Sequence, residues 1–365
     1  MTTVDRTTAA YERWLRKQCH VVESDLEAKH ERMRKSPFDF LRASYFRWAG
    51  TIEATCPDLG NAPIALCVGD IHVENFGTWR DAQARLVWGV NDFDEAATMP
   101  YAYDLVRLLT SARLAPTLAV DDLEAAAAIL EGYQNGLEQP HPVLLDEREH
   151  WMRPLVAGAA NASQKFWKEV DRYPNASPPK AVRRALRRSL PCGARIERYA
   201  SRAKGGGSLG RPRYLVIGDW QGGRLVKEAK ALVPSAWHWA HADRSAKSRV
   251  LDLAFGGYRS PDPQLQVKAG YVLRRVAPDA HKVELADVSG QGLSGKLLAA
   301  MGADLGAIHA AHRRRASILD DVLSRGGPRW LHRAANAAES SVRRDFEDFT
   351  SSREGTPLRL KQQLR

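Results

Sequence analysis

Two short apolar runs, each ending in a cluster of acids and amides, constrain this chain most. PIALCVGDIH (63–72) leads into Gly69-Asp70-Ile71-His72-Val73-Glu74-Asn75, and RLVWGVNDFD (85–94) ends in Asn91-Asp92-Phe93-Asp94. Apolar runs of this length, closed by polar turn residues, predict strands. Joined by a turn, the two would form a small hairpin with its acids gathered at one end. Phosphoryl transfer from ATP needs a carboxylate at the acceptor hydroxyl and oxygen ligands for the Mg²⁺ that bridges the phosphates. Asp70 as base, Asn75 five residues later as an amide ligand, and Asp92 from a second strand meet that need. An Asx-rich turn between strands would carry the same residue types without any chemistry.

Residues 5–35 read as a polar, mostly helical lead-in, followed by the aromatic-dense PFDFLRASYFRW (37–48). From Asp104 the pattern is helical: DLVRLLTSARLA, then DDLEAAAAILEGYQNGL. Helical character is expected through 144–190, broken at Ser177-Pro178-Pro179 before AVRRALRRSL. Composition shifts at Lys204–Gly210. RYLVIG (213–218), a DWQGG turn and RLVKEA (224–229) read as strands, as do VKAGYVLRRV (267–276) and HKVEL (281–285). LLAAMGADLGAIHAAH (297–312) is helical, and the tail (313–365) is helical and charged before it loosens.

The glycine run Gly205-Gly206-Gly207-Ser208-Leu209-Gly210 precedes the strand pair that carries Lys227. Glycines let a backbone close over phosphates and aim N–H groups at them. A flexible linker would look similar. The strand pair that follows, with Lys227 beside Leu225 and Val226, favours a phosphate loop with a lysine reaching the phosphate oxygens.

These motifs resemble the DUF2252 family. Its hallmarks are matched by GDIHVENFG (69–77), NDFDEA (91–96), DLVRLLTS (104–111), GGGSLG (205–210) and VKEA (226–229), in order, within a resemblance spanning roughly residues 37–312. That family in turn resembles aminoglycoside phosphotransferases and protein kinases. The resemblance implies an α+β, two-lobed, protein-kinase-like fold that binds ATP and Mg²⁺. Asp70 would be the catalytic-loop acid, Asn75 and Asp92 the metal ligands, and Asp104 a buried brace for the catalytic loop.

The motif order departs from an ordinary kinase, in which the glycine loop, the lysine and a helix with an LxxxH pattern precede the catalytic loop. Moving residues 205–312 ahead of residue 69 restores kinase order, as a circular permutation would. The implied division is a helical lead-in (1–62), the catalytic-loop half of a large helical lobe (63–204), a small β-rich nucleotide-binding lobe (205–290), and C-terminal helices completing the large lobe (291–365). Lys227 and Asp92 should then face each other across a cleft roofed by Gly205–Gly210, with ADLGAIHAAH beneath the Asp70 loop. Kinases pair the strand lysine with a helix Glu, yet no Glu lies between Glu228 and Glu284. Asp252 is the nearest substitute, one methylene shorter.

Net charge is +11 and uneven: residues 180–204 hold nine Lys/Arg and one acid, Glu197. The pairs Arg183/Arg187 and Arg184/Arg188 share a helix face opposite Val182 and Leu186. Such a segment suits an anionic partner, and a docking face near the phosphate site is the reading preferred here; a solvated surface is the plainer one. A nucleic-acid-binding protein is the rival reading, though no recognised nucleic-acid module accompanies the basic helix. A nucleotide-binding pseudokinase and an AMP-transferring enzyme on the same residues are further alternatives. His72-Val73-Glu74 spells the H-x-E of zinc deaminases, but Pro191-Cys192 lacks the second thiol that those sites require. Four scattered cysteines argue against a disulfide framework. No apolar run approaches the roughly 20 residues of a membrane span, and the start, MTTVDRTTAAYERW, lacks the apolar core of a secretory signal. A cytoplasmic protein is expected. The acceptor, whether sugar, aminoglycoside-like small molecule or protein hydroxyl, is set by pockets outside these motifs.

Overall fold

The lead-in folds into amphipathic helices whose buried stripes follow helical spacing. α1 (Val4–Gln18) buries Val4, Thr8, Tyr11 and Leu15, and α2 (Glu23–Met33) buries Leu26, Lys29 and Met33. These coordinates are a computed structural model that describes residues 3–156, 162–243, 247–278, 280 and 293–352. α3 (Pro37–Ala43) starts with Pro37 in its first turn and with Ser36 Oγ accepting from Asp39 N at 3.0 Å. With α4 (Tyr45–Ala49) and α5 (Ile52–Thr55) it delivers Phe38, Phe40, Tyr45, Phe46 and Trp48 to the main core.

The strands that follow pair differently from the expected hairpin. β1 is Ile64–Cys67, β2 Phe76–Arg80, β3 Leu86–Val90 and β4 Ala97–Pro100. β1 pairs antiparallel with β4, and β3 pairs antiparallel with β2. The 63–72 and 85–94 runs are therefore not partners. The local turn decides this: Asp81 Oδ1 accepts from Gln83 N and Arg85 N, each at 2.9 Å, and folds β3 back onto β2. The acids still converge, because Asn75, just before β2, bonds the backbone of both the Asp70 and the Asp92 loop.

α6 (Ala102–Leu114) is buried on nearly every side. α7 (Asp122–Glu138) is capped by Asp121, whose side chain accepts from Leu123 N and Glu124 N. β5 (Val143–Leu144) joins β3 to complete a three-stranded sheet. After α8 (Arg153–Val156), α9 (Ala162–Arg172) and α10 (Lys180–Arg188) come the strands of the largest sheet. These are β6 (Arg195–Ser201), β7 (Arg213–Trp220), β8 (Gly223–Ala231), β9 (Gln266–Lys268) and β10 (Tyr271–Val276). Their order is β6-β7-β8-β10-β9, all antiparallel. The sheet thus begins upstream of the glycine run. The run 267–276 is a hairpin rather than one strand, turning at Ala269 and Gly270, both with positive φ. HKVEL lies outside the described residues.

Both faces of this sheet are covered. α10 sets Val182 and Leu186 against Val216, Ala229 and Leu273; Val170 of α9 packs on Ala200, Leu215, Ile217 and Val226 on the other face. The chain crosses from β8 to β9 through α11 (Ala236–Ala240) and α12 (Val250–Ala254).

α13 (Gly295–Ala310) crosses α7 at backbone contact, and α14 (Arg315–Ser324) and α15 (Arg329–Ser351) close the helical part. A Cβ on Gly132 would lie 1.9 Å from Ala299 O, and one on Gly302 would lie 2.2 Å from Ile129 O. Only glycine permits that crossing. The fold is mixed α+β with three small sheets among the described residues. No described helix is long and apolar enough to cross a membrane.

Candidate functional site

The loop after β1 is set by a buried acid. Asp104 on α6 accepts from Val68 N at 2.7 Å and from Gly69 N at 3.0 Å. His309 on α13 reaches the same carboxylate through Nε2 at 3.3 Å, and Tyr133 on α7 meets its Nδ1 at 2.8 Å. Three helices thus fix the start of the Asp70 loop, and ADLGAIHAAH lies beneath it as expected. Cys67, Asp104 and His309 sit close enough to hold a metal ion. The Asp104 and His309 atoms are spent on these hydrogen bonds, and Cys67 Sγ donates to Met99 O; the cluster is a brace.

Asp70 projects into the cleft and ion-pairs through Oδ1 with Arg107 Nη2. Arg107, fully buried, also donates to Leu41 O at 2.9 Å and lies 5.0 Å from the ring centres of both Tyr45 and Trp48. Burial pushes the Asp70 carboxyl up to about 6; Arg107 pulls it down, and Glu95 and Asp92 add to the rise. Asn75 ties the two acid loops together: its Nδ2 donates to Asp70 O at 3.1 Å and to Asp92 O at 3.2 Å. Both donors point inward. Its Oδ1 is buried and has no hydrogen-bond partner among the described residues.

Opposite Asp92 stands Lys230, not Lys227. Lys230 Nζ lies 3.2 Å from Asp92 Oδ1, 3.3 Å from Oδ2, and also pairs with Asp94. Side chains alternate along a strand, so residues three apart on β8 point to opposite faces. Lys227 shares its face with Val216 and Arg275, its register partners, and with Ala229 beneath α10. Burial pushes its ammonium down to about 8, with Asp262 opposing and Arg275 adding to the fall. The expected Lys227–Asp92 pairing is corrected accordingly. Asp252 is corrected too: it is more than half exposed, pairs with Arg249 three residues away, and does not line the cleft.

The glycine run does lie over the acids. Gly205, Gly206, Gly207 and Ser208 line a cleft of about 890 Å³ shared with Asp70, Asn75, Asp92 and Lys230. A Cβ on Gly207 would come within 3.0 Å of Asp70 Oδ2. α2 holds the loop down: Lys29 Nζ donates to Gly207 O at 2.9 Å and Arg32 Nη1 to Gly205 O at 3.3 Å. Ser208 Oγ accepts from Arg213 Nη2 at 2.5 Å. Gly210 does not line the cleft. It packs on Leu26, and its carbonyl accepts from Val22 N at 2.9 Å, so it anchors the loop to the lead-in.

Several site residues escaped the sequence reading. Arg107 and Lys230 sit inside or beside quoted motifs, but arginines and lysines are too common for their type alone to mark them. Asp304 accepts from Val90 N at 2.8 Å and Arg259 Nη1 at 2.7 Å, fixing the strand that delivers Asp92. α10 lies on the sheet face away from the cleft, which overturns its expected place near the phosphate site.

Comparison with known proteins supports the motif resemblance over its first three motifs, and GGGSLG and VKEA lie beyond the matched segment. Residues 21–141 match the model of the family described as an uncharacterized protein conserved in bacteria (DUF2252). No curated protein and no solved structure gives a significant match.

Proposed function

We propose that this protein is an ATP- and Mg²⁺-dependent phosphotransferase acting on a hydroxyl acceptor, with a permuted kinase-like arrangement. The five-stranded sheet serves as the smaller, nucleotide-binding lobe and the helices as the larger. The observation that carries this reading is the Asn75 amide. Its nitrogen is used up clamping the Asp70 and Asp92 loops, which leaves a buried oxygen without a partner among the described residues, in the cleft that the Asp92 side chain also lines. Buried polar atoms are rarely left unsatisfied, and an amide oxygen beside a carboxylate suits a hard divalent cation. The donor set therefore fits Mg²⁺, with Asn75 and Asp92 holding it.

Bound Mg²⁺ would neutralise charge on the phosphates. The chain's own residues do the rest. Lys230 is poised at Asp92 and can move to phosphate oxygens once the carboxylate engages a cation. Gly205–Ser208 cover the cleft and exclude water. Asp70 accepts the acceptor's proton at its carboxylate, while Arg107 orients that group. Asp104 positions the loop without touching any substrate.

A second reading, nucleotide binding without transfer, draws support from Asp70 itself, whose carboxylate is engaged by Arg107 and overhung by Gly207. Incubation with Mg²⁺ and γ-labelled ATP separates the two. Label on an acceptor, on the protein or released as phosphate supports transfer; intact ATP with a raised melting temperature supports binding alone. Label retained only from α-labelled ATP would instead support AMP transfer. No melting shift at millimolar ATP and Mg²⁺ would sink all three.

A further inference from the structure

The cleft wall below the glycine loop carries more positive charge than its own acids neutralise. Glu228 on β8 is fully buried. Arg274, its direct cross-strand partner on β10, donates to it from Nε at 2.7 Å. Arg213 on β7 donates from Nη1 to both carboxylate oxygens at 3.3 Å. Arg202, just past β6, brings its Nε within 3.3 Å. Three guanidinium groups thus share one carboxylate, and all three line the cleft.

Nearby acids offset them only in part, Asp92 and Asp94 through their attraction for Arg274. Asp92 and Asp94 are engaged by Lys230, which lies opposite Arg213 in the β7–β8 register. Glu169, at the cleft mouth, binds Lys204 and Tyr173. Burial alone would raise the Glu228 carboxyl, yet Arg274, Arg202 and Arg213 hold it well below the ordinary range. Glu228 is therefore a permanent anion, and it is outnumbered. Holding cations in excess of their partners in a largely buried wall is unfavourable, so such a wall suits an anion that comes and goes. A carboxylate offers roughly four acceptor sites, and each guanidinium carries five donors; most of those donors are not engaged by Glu228. Forked donors suit phosphate oxygens better than one ammonium does.

We infer that Arg202, Arg213 and Arg274, held in register by Glu228, form the clamp for the polyphosphate chain of the nucleotide. This rests on the nucleotide reading above and deepens it.

Arg274 is the most accessible of the three, so Arg274→Met is the variant least at risk of misfolding, and Arg274→Lys keeps the charge while losing the fork. Dissociation constants would be measured calorimetrically for inorganic tripolyphosphate without metal, ATP with Mg²⁺, and adenosine. The wild-type protein should bind tripolyphosphate in a salt-sensitive way. Arg274→Met should weaken tripolyphosphate and ATP by about tenfold or more, the worth of one charge-assisted pair, and leave adenosine unchanged. Arg274→Lys should fall between. Wild-type affinity for both phosphates in Arg274→Met overturns the clamp while leaving the nucleotide reading intact. Arg274-dependent tripolyphosphate binding with no ATP binding upholds the clamp and ends the nucleotide reading. Failure of the wild-type protein to bind either phosphate ends both.

Discussion

Lys230 Nζ and Asp92 Oδ1 meet at 3.2 Å across the cleft although 138 residues separate them in sequence. The pair joins β8, the second strand after the glycine loop, to the loop that follows β3. It makes Lys230 the cation that any incoming phosphate must displace or share. Lys230→Met should therefore abolish the rise in melting temperature caused by ATP and Mg²⁺. Lys227→Met should preserve it, because residue 227 points to the α10 face. The pH dependence gives an independent check. The Lys227 ammonium is depressed to about 8 from 10.5, so the folded state releases that proton first. Its burial costs stability below about pH 8, and the cost fades as pH rises towards 10.5. Lys227→Met should melt higher than wild type at pH 7, with the gap closing in alkali. Loss of ATP stabilisation in the Lys227 variant alone would mean that β8 is read in the wrong register.

Asp70, the base of the proposed reaction, carries a stability cost. Its carboxyl is raised to about 6 from 3.8, so the folded state holds the proton more tightly than the unfolded chain. The stability this contributes is complete below about pH 4 and is lost as pH climbs through about 6. Asparagine mimics the protonated form and can still accept from Arg107. Asp70→Asn should therefore be more stable than wild type at pH 7.5, by about 1–3 kcal/mol, and equal to it near pH 4. Turnover should fall by about 10²–10⁴, with ATP affinity nearly unchanged. Wild-type turnover itself should rise through pH 6 and level off above it. A destabilised Asp70→Asn at pH 7.5 would show that the Arg107 ion pair outweighs desolvation. Lost ATP binding in that variant would move Asp70 from the acceptor to the metal.

What the sequence disclosed is local chemistry at fixed spacing. Asp70, Asn75, Asp92, Asp104 and Gly205–Ser208 each lie where a short motif places them. Which way a strand faces was not legible on β8. Leu225, Val226, Ala229 and Ala231 spread apolar residues over both faces, because α9 and α10 cover both. A strand buried on both sides loses the alternation that assigns faces, and with a lysine on each face the sequence does not distinguish Lys230 from Lys227 as the one that enters the cleft. Strand partnership was misread for a related reason. β1 and β3 end alike, and only the Asp81 turn and the β1–β4 ladder, neither visible as a motif, sort them. The arginine cluster around Glu228 draws on β7, β8, β10 and the end of β6, and no linear spacing announces it.

Gly89 tests how the Asp92 loop is held. A Cβ there would lie 2.6 Å from Asp304 Oδ1 and 2.7 Å from Oδ2. Asp304 cannot simply swing aside, because it accepts from Val90 N and from Arg259, which in turn donates to Val90 O at 2.5 Å. Gly89→Ala should lower stability by about 2–3 kcal/mol through overpacking. In urea this would appear as a lower midpoint at unchanged slope. Since Asp92 lies two residues beyond Val90, the Mg²⁺-dependent part of ATP stabilisation should shrink in the variant that remains folded. An unchanged midpoint would mean that α13 yields at Asp304 and does not fix this strand.

The basic helix offers the sharpest separation between surface and site. α10 buries Val182 and Leu186 against the sheet face opposite the cleft, and Arg183, Arg184, Arg187 and Arg188 are exposed. A charge reversal there lies across the sheet from the cleft, and water screens exposed charges beyond about 10 Å at 0.1 M salt. Arg184→Glu with Arg188→Glu should therefore leave the Kd for ATP and the KM for the acceptor within about twofold of wild type. Replacing two cations by two anions should, by contrast, advance the protein's elution from an immobilised polyanion to lower salt, since each lost phosphate or sulfate contact reduces the salt dependence of binding. A rise in acceptor KM without a change in ATP affinity would show that the acceptor is large enough to reach around the sheet, and would return α10 to the substrate-binding surface. An unchanged elution position would identify the arginines as a solvated face with no anionic partner, since a helix that binds polyanions cannot lose half of its exposed arginines without the binding responding.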